Sequence, residues 1–181
     1  MGSPTFASPV AILLAIISRH EDALAWACAR ITQQWGAIVL RSTTFDFDET
    51  DYYTEEMGPG LGKTFVVIDA PGDSAGLADW KLLTNQWEQE YAALGLHGES
   101  RPLNLDPGYV TPAKLVLAST KDYAHRIYLR DGIFAEITLM YRGGRWQHHD
   151  FTFPDYRRAD IQSFMEQARQ HAKRLGKPML P

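Results

Sequence analysis

The 181 residues are enough for one domain, and 45 % apolar with 22 % charged residues is the composition of a globular protein rather than a disordered or fibrous one. Eighteen basic against 22 acidic side chains leave a net charge of −4, which argues against whole-protein attraction to nucleic acid or to an anionic membrane. The longest apolar run, Val10 to Ile17, falls well short of the ~20 residues that a membrane-spanning helix needs, and the single cysteine, Cys28, excludes an internal disulfide and fits a reducing cytoplasm.

Val10 to Ile17 is apolar without alternation, as expected of a central strand covered on both faces. Ser18 with Glu21 has the spacing of a capping box, and Leu24, Cys28, Ile31 and Trp35 then recur at helical spacing until Gly36. A second strand starts at Ala37 to Leu40 and runs toward Phe47; Lys63 to Asp69 makes a third, broken by Pro71 and Gly72. Asp73 or Ser74 caps a second helix with Leu77, Trp80, Leu83, Trp87, Tyr91 and Leu94 on one side. His97 to Pro112, punctuated by three prolines, reads as an irregular connection, and Ala113 to Ser119 as the next strand. The order is β-α-β-β-α-β, so the expected class is α+β with a ferredoxin-like core over about 9–119.

Asp131-Gly132 and Gly143-Gly144 suit tight hairpin turns, which predicts a three-stranded antiparallel meander from about residue 123. A final helix from Ala159 or Asp160 carries Ile161, Phe164, Met165, Ala168, Ala172 and Leu175 as its apolar stripe, up to about residue 175. Residues 1–100 carry a net −9 and residues 101–181 a net +5, which reads as acidic and basic faces of one domain, and no convincing boundary divides the chain, so residues 1–181 are expected to form one domain.

Two motifs fail on spacing. Gly58 to Thr64 resembles a phosphate loop but has three residues between its outer glycines where four are needed, and it opens a strand rather than a helix. An EF-hand loop begun at Asp46 would need glycine at its sixth position and glutamate at its twelfth, where the chain has Asp51 and Met57. The acidic stretch nevertheless carries Tyr53 and Glu56, an aromatic and a carboxylate suited to the mouth of a ligand pocket.

With two-residue turns, Arg130 pairs with Ile133 and Arg142 with Arg145, so His125, Thr138 and His149 fall in one row with Glu136 diagonal to His125. A buried Glu136 must find His125, an arginine or a ligand, which makes His125 and Glu136 the candidate acid–base pair; a structural hydrogen bond is the alternative. Arg126, Tyr128 and Arg130 are expected on the opposite face, as an anion- or base-binding surface. Asn104 and Asp106 sit in a turn-forming loop, and Arg157, before the last helix, is the alternative to Arg126 as the anion clamp.

Taken together, Phe47 to Gly58 (FDETDYYTEEMG), Lys81 to Glu88 (KLLTNQWE), Arg101 to Tyr109 (RPLNLDPGY), Leu117 to Leu139 and Phe151 to Arg157 (FTFPDYR) resemble an uncharacterised bacterial family, domain of unknown function 4416. The resemblance implies one family-length domain in a bacterial cytoplasm and carries over no catalytic residue. The reading is a protein that binds a small anionic or nucleotide-like metabolite between the 104–109 loop, the acidic-aromatic loop and the meander, with enzymatic activity left open. The alternatives are a non-catalytic RNA-binding or protein-interaction module, and a subunit whose sheet edge pairs with itself. No metal ligand set, cofactor or oligomeric state is assigned.

Overall fold

In the computed structural model, which describes residue 3, residues 7–47 and residues 54–176, the N-terminal apolar run is strand β1 (Val10–Ser18). Ile12, Leu14 and Ile16 enter one core and Ala11, Leu13 and Ala15 another, all out of solvent. A strand with two buried faces has no polar side to show, hence its unbroken hydrophobicity.

Helix α1 (Glu21–Trp35) has His20 as its N-cap, with no side-chain cap. The expected capping box does not form, because Ser18 Oγ donates to the Pro102 carbonyl (2.7 Å) and accepts from the His20 N–H (3.0 Å). Gly36 ends the helix at φ 94°, a conformation that glycine adopts without steric cost. Then follow β2 (Ile38–Arg41), β3 (Phe45–Asp46), the short helix α2 (Thr54–Met57), β4 (Gly62–Gly72) and α3 (Leu77–Ala93). A 3-10 turn capped by Asp73 leads into α3. The second half comprises β5 (Asn104–Val110), β6 (Lys114–Ser119), β7 (Ile127–Arg130), β8 (Ile133–Arg142), β9 (Arg145–His148), a 3-10 turn at Pro154–Arg157 and α4 (Ala159–Leu175).

All the described pairings are antiparallel, in the order β2-β4-β1-β5-β6-β8-β7, with β3 also on β4 and β9 also on β8. Helices α1 and α3 cover one face through Ala23, Ala27, Ile31, Trp80, Trp87 and Tyr91. Helix α4 covers part of the other, laying Ile161, Phe164, Met165, Ala168 and Ala172 over Ala11, Leu13, Ala15, Phe65 and Val67. The chain is thus mixed α and β, with an antiparallel sheet and a C-terminal helix.

Two expectations need correction. The strand that follows α3 is β5, inside the segment expected to be irregular, and it lies directly against β1. Its prolyl residue, Pro107, pairs with Leu14 of β1 but lies beyond the ladder to β6, which runs only from Gly108↔Leu117 to Val110↔Leu115, so no N–H is asked of it on the β6 side. Gly108 is needed there: a Cβ would lie 2.4 Å from the Val116 carbonyl oxygen and 2.6 Å from Leu117 Cδ2.

The second correction concerns the meander. Leu139 pairs with both Leu115 and His148, and Ala135 with both Ala118 and Ile127. A strand has two edges; β6 takes one edge of β8, so β7 and β9 lie end to end along the other rather than on opposite sides of β8. The turn pairs Arg130↔Ile133 and Arg142↔Arg145 form as expected, but a register shift between Tyr128 and Arg130 ends the regular alternation, and His125 and Arg126 precede β7.

Candidate functional site

Cross-strand partners share a face of a sheet, and the pairs Ile17↔Lys63, Ile17↔Asn104, Ala15↔Asp106 and Leu117↔Glu136 all fall on the face that carries α4. There Ile17, Lys63, Asn104, Asp106, Leu117 and Glu136 line a cleft of about 500 Å³. Pro154–Tyr156, Phe47 and the Ser119–Tyr123 segment with Arg126 complete its walls. Where β5 and β6 part company, Lys81 reaches in from α3 on the opposite side of the sheet and joins the lining.

One wall is a closed polar ring. Lys81 Nζ donates to the Leu105 carbonyl (2.7 Å) and to Asp106 Oδ1 (3.0 Å), while Asn104 Nδ2 donates to Asp106 Oδ2 (2.9 Å). Arg101 donates to Asn104 Oδ1 and, through Nε and Nη2, to Glu88 Oε2 at 3.2 and 2.9 Å. Glu88 returns to Lys81 at 3.8 Å and accepts the Leu105 N–H at 2.8 Å. Burial pushes the Glu88 carboxyl above the ordinary glutamate value, against the pull of Lys81 and Arg101. Burial also penalises the Asp106 carboxylate, but Lys81 and Lys63 with the hydrogen bonds of Lys81 and Asn104 outweigh it and hold its pKa below the usual aspartate value.

The other wall centres on Glu136, 2 % exposed. Arg126 Nε donates to its Oε2 at 2.7 Å and His125 Nε2 to the same oxygen at 3.3 Å; Thr138 Oγ1 donates to Oε1 at 3.2 Å. Arg126 is itself locked by Ser119 Oγ (2.7 Å) and the Lys121 carbonyl (3.0 Å). Between the walls, the buried Lys63 ammonium is ion-paired to Asp155 and sits 4.1 Å from the centre of the Phe47 ring. Side chains held this way are already ordered, so a ligand would not have to order them again.

Of the residues singled out from the sequence, Asn104, Asp106, Arg126 and Glu136 line this cleft, with His125 behind Glu136. Arg126 is not on an exposed face with Tyr128: it is buried beside Glu136, because it stands in the turn before β7 rather than in the alternating strand. Tyr128 is 59 % exposed, edge-on to Phe134 and outside the lining. Arg157 spends its guanidinium on the Thr152 and Asp150 carbonyls, and Glu56 approaches only through Arg101, 3.6 Å away. Tyr53 lies outside the described residues. His149 and His125 both stack on Phe151, at 4.8 and 4.2 Å, since β7 and β9 share one edge of β8.

Lys63, Lys81, Arg101, Ser119, Lys121 and Asp155 were not anticipated. The signal was present for two of them: Lys63 alternates in phase with Phe65 and Val67, and Lys81 falls on the inward stripe of α3 with Leu77, Thr84, Glu88 and Tyr91. A charge at an inward position is the informative kind.

A protein-family model matches residues 8–171. The chain belongs to the family described as Domain of unknown function (DUF4416). No curated protein and no solved structure matches it. No helix among the described residues of this DUF4416 protein is long and apolar enough to cross a membrane.

Proposed function

We propose that the cleft binds a small anionic metabolite with a nucleotide-like body. The observation that supports this reading is the lining itself: the cationic side chains of Lys63, Lys81, Arg101, Lys121 and Arg126 converge on one cleft, interleaved with the carboxylates of Asp106, Glu136 and Asp155. Phe47, Tyr123 and Phe153 add flat apolar surface beside these cations, which suits a planar ring attached to a phosphate or carboxylate. A volume of about 500 Å³ falls in the range of small-molecule sites.

On this reading Glu136 meets the ligand and His125 exchanges protons with it from behind, with Arg126 as the anion clamp. Asn104 and Asp106 orient the far end. The role rests on the contacts that His125 and Arg126 make with one Glu136 oxygen.

The test is thermal unfolding of the full chain against nucleoside mono-, di- and triphosphates, sugar phosphates and dicarboxylates. A ligand at about 100 times its Kd adds ~2.7 kcal/mol and raises Tm visibly. The rise should vanish in Arg126→Met and Lys81→Met, each compared with its own unliganded melt. Absence of any anion-dependent rise, or a rise retained in both variants, refutes the proposal.

A second reading, a protein-interaction module, draws on edge strand β7, whose four residues are all exposed, Ile127 at 70 %. An open edge of this kind pairs readily with another strand. A solution mass that stays monomeric over a wide concentration range would count against self-pairing. The fold of the segment from β1 to β5, we infer, is ferredoxin-like, a reading supported by the antiparallel order β2-β4-β1-β5 with α1 and α3 on one face.

A further inference from the structure

On the far side of the sheet from α4, two short sequences meet: His20-x-Asp22 at the start of α1 and His97-x-Glu99 just after the Gly95 that follows α3. They exchange partners. His20 Nε2 lies 3.1 Å from Glu99 Oε2, and His97 Nε2 lies 3.2 Å from Asp22 Oδ2. The two imidazoles are stacked, 3.6 Å between centroids and 13° between planes. One ligand atom each from His20, Asp22 and His97 lies within 4.8 Å of the others.

We propose that this cluster binds one divalent ion of the Zn²⁺ class, through both histidines and Asp22, with the fourth position open to water. Two imidazoles and one carboxylate form an N₂O set of the kind that holds zinc through three protein ligands. Imidazole nitrogens select zinc, cobalt or nickel over magnesium or calcium, which prefer oxygen alone. Sharing the ion tilts one ring out of the stack, because each imidazole donates in its own plane and the two planes now lie parallel. Around the ligands, Tyr91 Oη lies 3.0 Å from His97 Nε2, and Arg19 Nη1 lies 3.4 Å from the Oε1 of Glu99, leaving Oε2 turned to His20. The ion would pin the segment after α3 to the start of α1, two residues before the cleft-lining Arg101.

The test uses the tag-free full chain stripped with a chelator, then dialysed against ZnCl₂ and assayed for bound metal. Co²⁺ provides a visible absorption band as a direct reporter of coordination. The expected result is one equivalent of Zn²⁺ per chain, a cobalt spectrum in the wild type, and affinity weakened by about tenfold or more in His20→Gln and His97→Gln but not in the control His149→Gln. Should a histidine variant fail to fold, Asp22→Asn replaces it, since that side chain is 58 % exposed. Absence of Zn²⁺ binding in the wild type, binding retained in the His20, His97 and Asp22 variants, or an equal response to Mg²⁺ would each overturn the site and leave an ion-free hydrogen-bonded clip.

Discussion

Lys63 and Asp155 form an ion pair across 92 positions of sequence, with side chains 5 % and 3 % exposed. The pair joins the first residues of β4 to the turn before α4, so it closes one wall of the cleft and ties the C-terminal helix to the sheet. A buried pair of this kind adds little net stability, yet removing one partner strands the other charge out of water. Lys63→Met should therefore cost about 3–5 kcal/mol. The double variant Lys63→Met/Asp155→Leu should recover most of that loss. Denaturant midpoints of the single and double variants decide the matter.

Glu136 distinguishes its two nitrogen donors. Arg126 is the closer and its side chain is 2 % exposed, against 20 % for His125. His125→Ala should lower stability by about 1 kcal/mol, the ordinary size for a part-exposed contact. Arg126→Met should cost about 3–5 kcal/mol, because it leaves a buried carboxylate facing only a histidine and a hydroxyl. Equal losses from the two in equilibrium unfolding would mean that His125 shares the burden of holding Glu136.

Gly108 provides a steric test of the opening between β5 and β6. Its α-hydrogen faces the Val116 carbonyl, and Gly108→Ala puts a methyl where backbone oxygen already stands. The strands must separate further, at about 1–3 kcal/mol. Urea unfolding should show the loss, and faster amide exchange should appear in β5 and β6 ahead of β2 and β4.

Tyr91 sets an alkaline limit. Burial, with Asp22 beside it, pushes the phenol from 10.0 up to about 12. An acid whose folded pKa is raised contributes stability in full below its unfolded pKa and loses it as pH rises through the folded one, so the loss falls between pH 10 and 12. Tyr91→Phe should flatten the decline of Tm across that interval while leaving the neutral-pH curve parallel to that of the wild type.

How much of this was legible beforehand differed by element. The double-faced β1, the Gly36 stop and the hairpin turns at Asp131-Gly132 and Gly143-Gly144 follow from local pattern and backbone chemistry, and each is present. The β5 strand was hidden because Pro107 and Gly108 mark a turn to local reasoning, whereas here the proline lies past the end of a ladder and the glycine serves a close approach. Glu136 with His125 was inferred from cross-strand register, and the two do meet, although β7 and β9 share an edge that no hairpin rule specifies. Lys63 and Lys81 stand at inward positions of their strand and helix and so leave a periodic trace, whereas their partners Asp155 and Asp106, 92 and 25 positions away, are set by tertiary pairing and leave none.

The cleft floor draws on strands from Ile17 to Glu136 and its wall on Asp155, so local opening of any of these lining segments would break the site. Occupancy would then be coupled to the opening of all these segments rather than of one loop, and a filled cleft would protect them from cellular proteases at once. If the cleft binds the anionic metabolite proposed above, abundance of this protein in a cell would track the supply of that ligand.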